Sequence, residues 1–189
     1  DVNDPAFKKL KEDLLAKYNV DSVDDLPVNF RGIVAQYSEG RQAKVLNEFA
    51  ETRMTEELEQ AQIARQFGWL SPTVAVRSIS TILAGTSLET HHRFLREAET
   101  LRLEFVQALN KVHAEKLDYK LDMNRNASEE AADKAVVGAD NWAILAEFDF
   151  KPEAGSTRIS NALIYFIQLL LWMGLTALLL QAAVRRLNP

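Results

Sequence analysis

The sequence predicts a mainly α protein: an elongated extracytoplasmic helical bundle with long antiparallel helices, followed by one transmembrane helix. Three observations predict it. Apolar residues recur every three or four positions through most of the first 158 residues, the period of a helix face. Gly and Pro are sparse, 7 and 5 in 189 residues, and Pro5, Pro27, Gly68, Pro72 and Gly85 stand at the ends of the periodic segments. The stretch Ile159–Val184 contains no charged residue and is followed at once by Arg185 and Arg186.

The elements follow in order. Asp4-Pro5 is a helix start, with Asp as N-cap and Pro in the first turn, after which Phe7, Leu10 and Leu14 share a face. The pattern breaks over Asn19–Phe30, where Leu26-Pro27 reads as a rigid extended turn. A second helical region runs from about Arg31 to Phe67, with a break expected near Gly40. Val45, Leu46, Phe49 and Leu58 give it a moderate apolar face among many Glu, Gln and Arg residues. Gly68 is its stop. Ser71-Pro72 begins a shorter helix carrying Val76, Ile79 and Leu83, and Gly85 ends it in the left-handed conformation.

The strongest soluble helix starts after Ser87. Phe94, Ala98, Leu101, Phe105, Ala108 and Val112 step along it by threes and fours. Extended to Tyr119 it is about 48 Å long at about 1.5 Å per residue. Its expected antiparallel partner is Arg41–Phe67. A break at Asn124–Ser128 precedes a weak helix over Glu129–Val137 capped by Ser128. Asn141–Gly155 reads as irregular or extended, anchored by Trp142, Phe148 and Phe150. Last comes the apolar stretch. Its most apolar part, Ala162–Val184, is about 34 Å long as a helix, enough to cross a hydrocarbon layer of about 30 Å.

Three domains are thus expected: an extracytoplasmic helical domain over residues 1–158, a transmembrane helix over 159–184 and a cytoplasmic tail over 185–189. Orientation rests on the flanks, since a pair of arginines at the far end marks the cytoplasmic side. The expected location is a bacterial inner membrane. The sequence does not start with Met and has no signal peptide, which points to a piece of a longer polytopic protein.

Composition narrows the function. The chain has 22 Lys and Arg against 27 Asp and Glu; setting aside Arg185 and Arg186 leaves 20 against 27, a net charge of −7 over residues 1–158. Phosphate backbones need concentrated basic charge, so no nucleic-acid partner is expected. With no cysteine, thiol nucleophiles, disulfides and Cys-based zinc sites are excluded. His91 and His92 are adjacent, so on a helix they point about 100° apart and do not share one site by simple same-face ligation; His113 is several turns away. No metal site is expected. Glu56, Glu57 and Glu59 read as solvated carboxylates. No nucleophile elbow, Gly-rich phosphate loop or Walker sequence is present, so the chain is expected to be neither an enzyme nor a cofactor binder, and any ATP is bound on another chain.

Within the apolar stretch, Gln168, Trp172 and Thr176 fall on one face, and Gly174, Ala177 and Gln181 on another. Polar and small residues in a spanning helix face protein, because lipid cannot satisfy them. Trp172 is also deeper than the interfacial belt where Trp is enriched. A packing face over Gln168, Trp172 and Thr176 is therefore expected.

An ordered set of short stretches carries a family resemblance. It comprises Lys17-Tyr18-Asn19-Val20-Asp21-Ser22-Val23, Leu26-Pro27-Val28-Asn29-Phe30, Leu70-Ser71-Pro72, Ala75-Val76-Arg77, Leu83-Ala84-Gly85-Thr86, His91-His92-Arg93-Phe94, Ala108-Leu109-Asn110, and finally Trp142 with Phe148. In this order they resemble the C-terminal part of bacterial ABC-2-type transporter permeases that carry a large extracytoplasmic domain before the last membrane helix. The segment Asn124–Ala139 departs from the pattern, being longer and more acidic. The resemblance implies a permease subunit of an ATP-driven transporter. Its implied partners are an ABC ATP-binding subunit, the remaining transmembrane helices of the same permease, membrane lipid and a second permease in a homo- or heterodimer. Pro27, Ser71, Pro72 and Gly85 are read as architectural positions. Some related permeases are tied to copper-enzyme maturation, but Met54, Met123 and Met173 are isolated and give no support for copper. The alternative is the extracytoplasmic ligand-sensing bundle of a membrane receptor or sensor kinase. A sensor needs a cytoplasmic signalling region after the helix; a permease needs membrane helices before residue 1.

Overall fold

A computed structural model of the chain describes residues 4–144 and 147–187. The protein is mainly α, with no strand among the described residues. Among the described residues seven helices follow one another: α1 (Pro5–Tyr18), α2 (Phe30–Gly68), α3 (Pro72–Ala84), α4 (Leu88–Lys116), α5 (Tyr119–Met123), α6 (Glu129–Lys134) and α7 (Gly155–Leu187). Short 3-10 turns cover Val23–Asp25 and Ala139–Ile144.

Local chemistry sets most boundaries. The Asp4 carboxylate accepts from the Ala6 N–H and Pro5 occupies the first turn, as a helix start requires. Asn19 closes α1 with φ 53°, a left-handed position that Asn tolerates. Gly85 (φ 70°) closes α3: its N–H donates to the Ile82 carbonyl and the Thr86 N–H to the Thr81 carbonyl, the paired bonds of a Schellman stop. Ser71 holds the N-cap position of α3, yet its hydroxyl makes no capping bond.

Four expectations about element boundaries need correction. α2 is unbroken at Gly40 for all 39 residues. A lone helical glycine costs only about 1 kcal/mol, and partners on either side of it hold the helix. Gln36 and Gln107 donate to each other's backbone carbonyls at 3.3 and 2.9 Å, and Arg102 pairs with Glu39 at 2.8 Å. α4 stops at Lys116 rather than Tyr119, because Asp118 starts a new helix by accepting from the Leu121 N–H. α6 ends at Lys134, not Val137. Finally, residues expected to be irregular near Asn141 form the second 3-10 turn. The side chain of Trp142 lies outside the described residues.

The chain divides into two compact units, each drawn from two stretches: Asp1–Glu48 with Ala98–Phe148, and Phe49–Glu97 with Asp149–Pro189. Within the second unit the start of α7 packs on α3. In the first unit the beginning of α2 runs antiparallel to the end of α4. Phe7 of α1 meets Tyr37 edge-on at 5.6 Å, and Arg41 pairs with Asp4 at 2.9 Å. In the second unit α2 and α4 are joined by Glu51–Arg96, Glu57–His92 and Arg65–Glu89, again with antiparallel order. Phe94 stacks edge-on with Phe150 at 5.3 Å, and the Arg93 guanidinium lies 4.7 Å from the same ring. The face expected to bury Val45, Leu46 and Phe49 is exposed instead; α2 turns Ala43 and Met54 inward.

Candidate functional site

Two places concentrate buried polar chemistry. The first lies in the first unit, where the start of α2 crosses the end of α4. Gly32 makes the crossing close: a Cβ there would stand 2.5 Å from the backbone nitrogen of Ala114. The Asn29 N–H donates to the Ala114 carbonyl at 2.7 Å, so a free carbonyl of the last α4 turn gains a partner. The Asn29 side-chain oxygen accepts from the N–H groups of Arg31 and Gly32 and caps α2.

Asp122, fully buried in α5, completes the crossing. One carboxylate oxygen accepts from Asn29 Nδ2 at 3.2 Å and stands 2.9 Å from His113 Nε2. Arg31 Nε is 3.7 Å from that oxygen, and Arg125 Nη2 is 2.7 Å from the other. Burial pushes the Asp122 carboxyl up, but the His113 and Asn29 hydrogen bonds and the nearby Arg31 charge outweigh it and hold the group below the usual carboxylate range. His113 and Arg125 also border an open cavity of about 500 Å³, floored by Leu109, Leu117 and Ala135. His113 and Arg125 at its edge are both engaged by Asp122, so the arrangement is a clamp between helix ends.

The second place lies in the second unit, along α3 and α7. Arg158, Ala162, Tyr165, Gln168, Leu169 and Trp172 form the less exposed stripe of α7. Arg158 Nη1 donates to the Leu83 carbonyl at 2.7 Å, a cation at the negative end of α3. Gln168 Nε2, fully buried, donates to the Gly68 carbonyl at 2.8 Å, and Trp172 Nε1 donates to the Trp69 carbonyl at 3.0 Å. The polar atoms of α7 thereby satisfy the carbonyls where α2 turns into α3. Gly68 lets that turn close, since a Cβ would meet Val74 Cγ1 at 2.4 Å.

The positions singled out in the sequence are thus distributed. Gln168 and Trp172 meet the α2–α3 corner. Thr176 is exposed and bonds only to the carbonyls of Trp172 and Met173 in its own helix. Gly174, Ala177 and Gln181 are exposed, with nothing within 4 Å of a Cβ at Gly174. Ser71, Pro72 and Gly85 bound α3, and Pro27 lies in the turn before α2. Glu57 is not simply solvated: the bond from buried His92 at 2.9 Å holds its carboxyl below the usual range. His91 is exposed and His113 belongs to the Asp122 clamp. Among the described residues no group of three His, Asp or Glu side chains is arranged for a metal ion.

Sequence reasoning missed the Asp122 clamp altogether. Its partner Asn29 stands 93 residues away, and the one local signal was an Asn directly before the first residue of α2.

Residues 1–151 match a family model described as a domain of unknown function (DUF3526). No curated protein and no solved structure matches the chain.

Proposed function

The chain belongs to the DUF3526 family, and we propose that it is part of the permease subunit of an ATP-driven ABC transporter. In this reading α7 spans the membrane and residues 1–158 stand on its extracytoplasmic side. One observation carries it: the division of the α7 surface. As far as Trp172 the helix packs on its own chain through hydrogen-bonded polar atoms. From Met173 to Arg186 every residue is exposed, including Gly174, Ala177 and Gln181. The helix is long and apolar enough to cross a membrane. A plain anchor has no use for small residues and a glutamine on its free half, whereas a helix among neighbours does. The ordered motifs that resemble ABC-2 permeases supply the class of those neighbours. The domain outside the membrane then contacts substrate, a partner or a second permease, while a separate chain hydrolyses ATP and drives alternating access.

The sidedness is testable by cysteine labelling: residues 1–189 contain no cysteine, and any elsewhere in the full-length protein is replaced first. Full-length protein bearing Glu130→Cys or Arg186→Cys is treated in intact cells made permeable at any outer envelope, using a maleimide that cannot cross the inner membrane. Position 130 is expected to react and position 186 to react only after the inner membrane is opened. Equal labelling of both in intact cells would rule out a spanning α7.

A further inference from the structure

We infer that the α2–α3 corner is itself immersed in the lipid bilayer, as a re-entrant element beside α7, and that Arg77 meets lipid headgroups there. This rests on the reading that α7 spans the membrane.

The depth follows from the helix. Arg185 marks one edge of the hydrocarbon layer. About 20 residues of helix cross about 30 Å, which places the opposite edge near Tyr165, an aromatic suited to an interface. Gln168 and Trp172 lie three and seven residues inside that edge, about 5 to 10 Å deep at about 1.5 Å per residue. These two residues hold the carbonyls of Gly68 and Trp69. The corner is therefore tied to α7 at a level inside the hydrocarbon. At the other end of α3, Arg158 holds the Leu83 carbonyl about 10 Å outside the edge.

The composition of the corner suits that level. Between Phe67 and Leu88 the only charged residue is Arg77. Phe67, Trp69 and Leu70 at the tip are 71%, 43% and 76% exposed, with Val76 exposed just beyond. Large apolar side chains so placed beside a spanning helix fit lipid tails. Two carbonyls of the turn, those of Gly68 and Trp69, are taken by α7, which lowers the cost of placing that backbone in the hydrocarbon layer.

Arg77 falls between the two tied levels, close to that of Ala162 and about 5 Å outside the hydrocarbon edge, where the headgroup layer begins. Its guanidinium has no ion-pair partner among the described residues. With Arg65, His91, Ser78 and Thr81 it lines an open cavity of about 570 Å³. A cation and hydroxyls at this level suit a lipid phosphate.

Spin labels at single cysteines test the depth. Full-length protein carrying Leu70→Cys, Leu171→Cys, Leu178→Cys or Glu130→Cys is reconstituted in vesicles of phosphatidylethanolamine and phosphatidylglycerol. Collisions with oxygen, which partitions into lipid, are compared with collisions with a water-soluble nickel chelate. Labels at 70 and 171 are expected to be oxygen-accessible, to be an order of magnitude less accessible to the chelate than the label at 130, and to agree in depth within about one helix turn, ~5 Å. Adding Arg77→Glu is expected to raise chelate collisions at position 70 by repulsion from the anionic headgroups; no change would overturn the headgroup contact. If position 70 is as chelate-exposed as 130 while 178 stays shielded, the inference fails and the spanning helix stands. If 178 is chelate-exposed, both fail. A label at 70 hidden from oxygen and chelate alike is covered by protein, and that also overturns the assignment to lipid.

Discussion

Replacing Asp122 with Ala is expected to destabilise the first unit by about 3 kcal/mol, the low end of the range for removing one partner of a buried charge cluster. The carboxylate is fully buried and serves Asn29, His113, Arg31 and Arg125 together. Its loss leaves the Asn29 amide and the His113 ring without their common acceptor and removes the charge that draws Arg31 and Arg125 inward. The low end applies because Arg31 and Arg125 keep 47% and 42% of their side-chain surface in water and are screened there. Thermal unfolding of the full-length protein in detergent, followed by helical circular dichroism, reads the effect. The pH dependence has a fixed sign. The folded carboxyl titrates below its ordinary value of about 3.9, so its contribution is complete above that value and disappears as pH falls through the lower, folded one. Wild type and Asp122→Ala should therefore differ at neutral pH and converge in acid. A constant difference down to the lowest pH at which the protein folds would show that the carboxylate charge is irrelevant.

Gly32→Ala is expected to cost about 3 kcal/mol, while Gly40→Ala, about two turns further along the same helix, stabilises by about 0.5–1 kcal/mol. A Cβ at position 32 would meet the nitrogen, Cα and Cβ of Ala114 at 2.5, 2.6 and 2.9 Å. Those are mostly backbone atoms, with no flexible end to yield. Separating the helices to make room also breaks the bond from Asn29 to the Ala114 carbonyl. At position 40 the nearest atom is Gln107 Nε2 at 3.6 Å, an ordinary contact at the end of a movable side chain. Only the helix preference of Ala is felt there. Melting curves of the two variants should move in opposite directions from wild type; movement in the same direction would contradict the close crossing.

Local signals in the sequence marked most helices. Asp4-Pro5, Gly68, Ser71-Pro72, Gly85 and Ser128 all punctuate elements, because caps and left-handed stops depend on residues within a turn of each other. The apolar helix needed only length and absence of charge. Signals failed where distant residues decided. Gly40 looked like a break because its cost is local, whereas the partners that keep α2 continuous there come from α4. Val45, Leu46 and Phe49 looked like an inner face by their character, yet α2 turns Ala43 and Met54 inward. Of the polar residues in the apolar stretch, Gln168 and Trp172 find their partners at the α2–α3 corner about 100 residues away, while Thr176 turns back on its own helix. The Asp122 clamp joins residues on either side of most of the chain and has no periodic signature.

The permease reading is tested most directly by ATP hydrolysis. Full-length protein is purified from its native membrane with whatever ATP-binding chain accompanies it, and the pair is reconstituted in vesicles. The account predicts a stable complex whose ATP hydrolysis changes when the permease is present. It also predicts that the change is lost when the chain is truncated after Trp172, which removes the free half of α7. A full-length protein that binds no ATP-hydrolysing chain, or whose partner hydrolyses ATP at the same rate with and without it, would contradict the account.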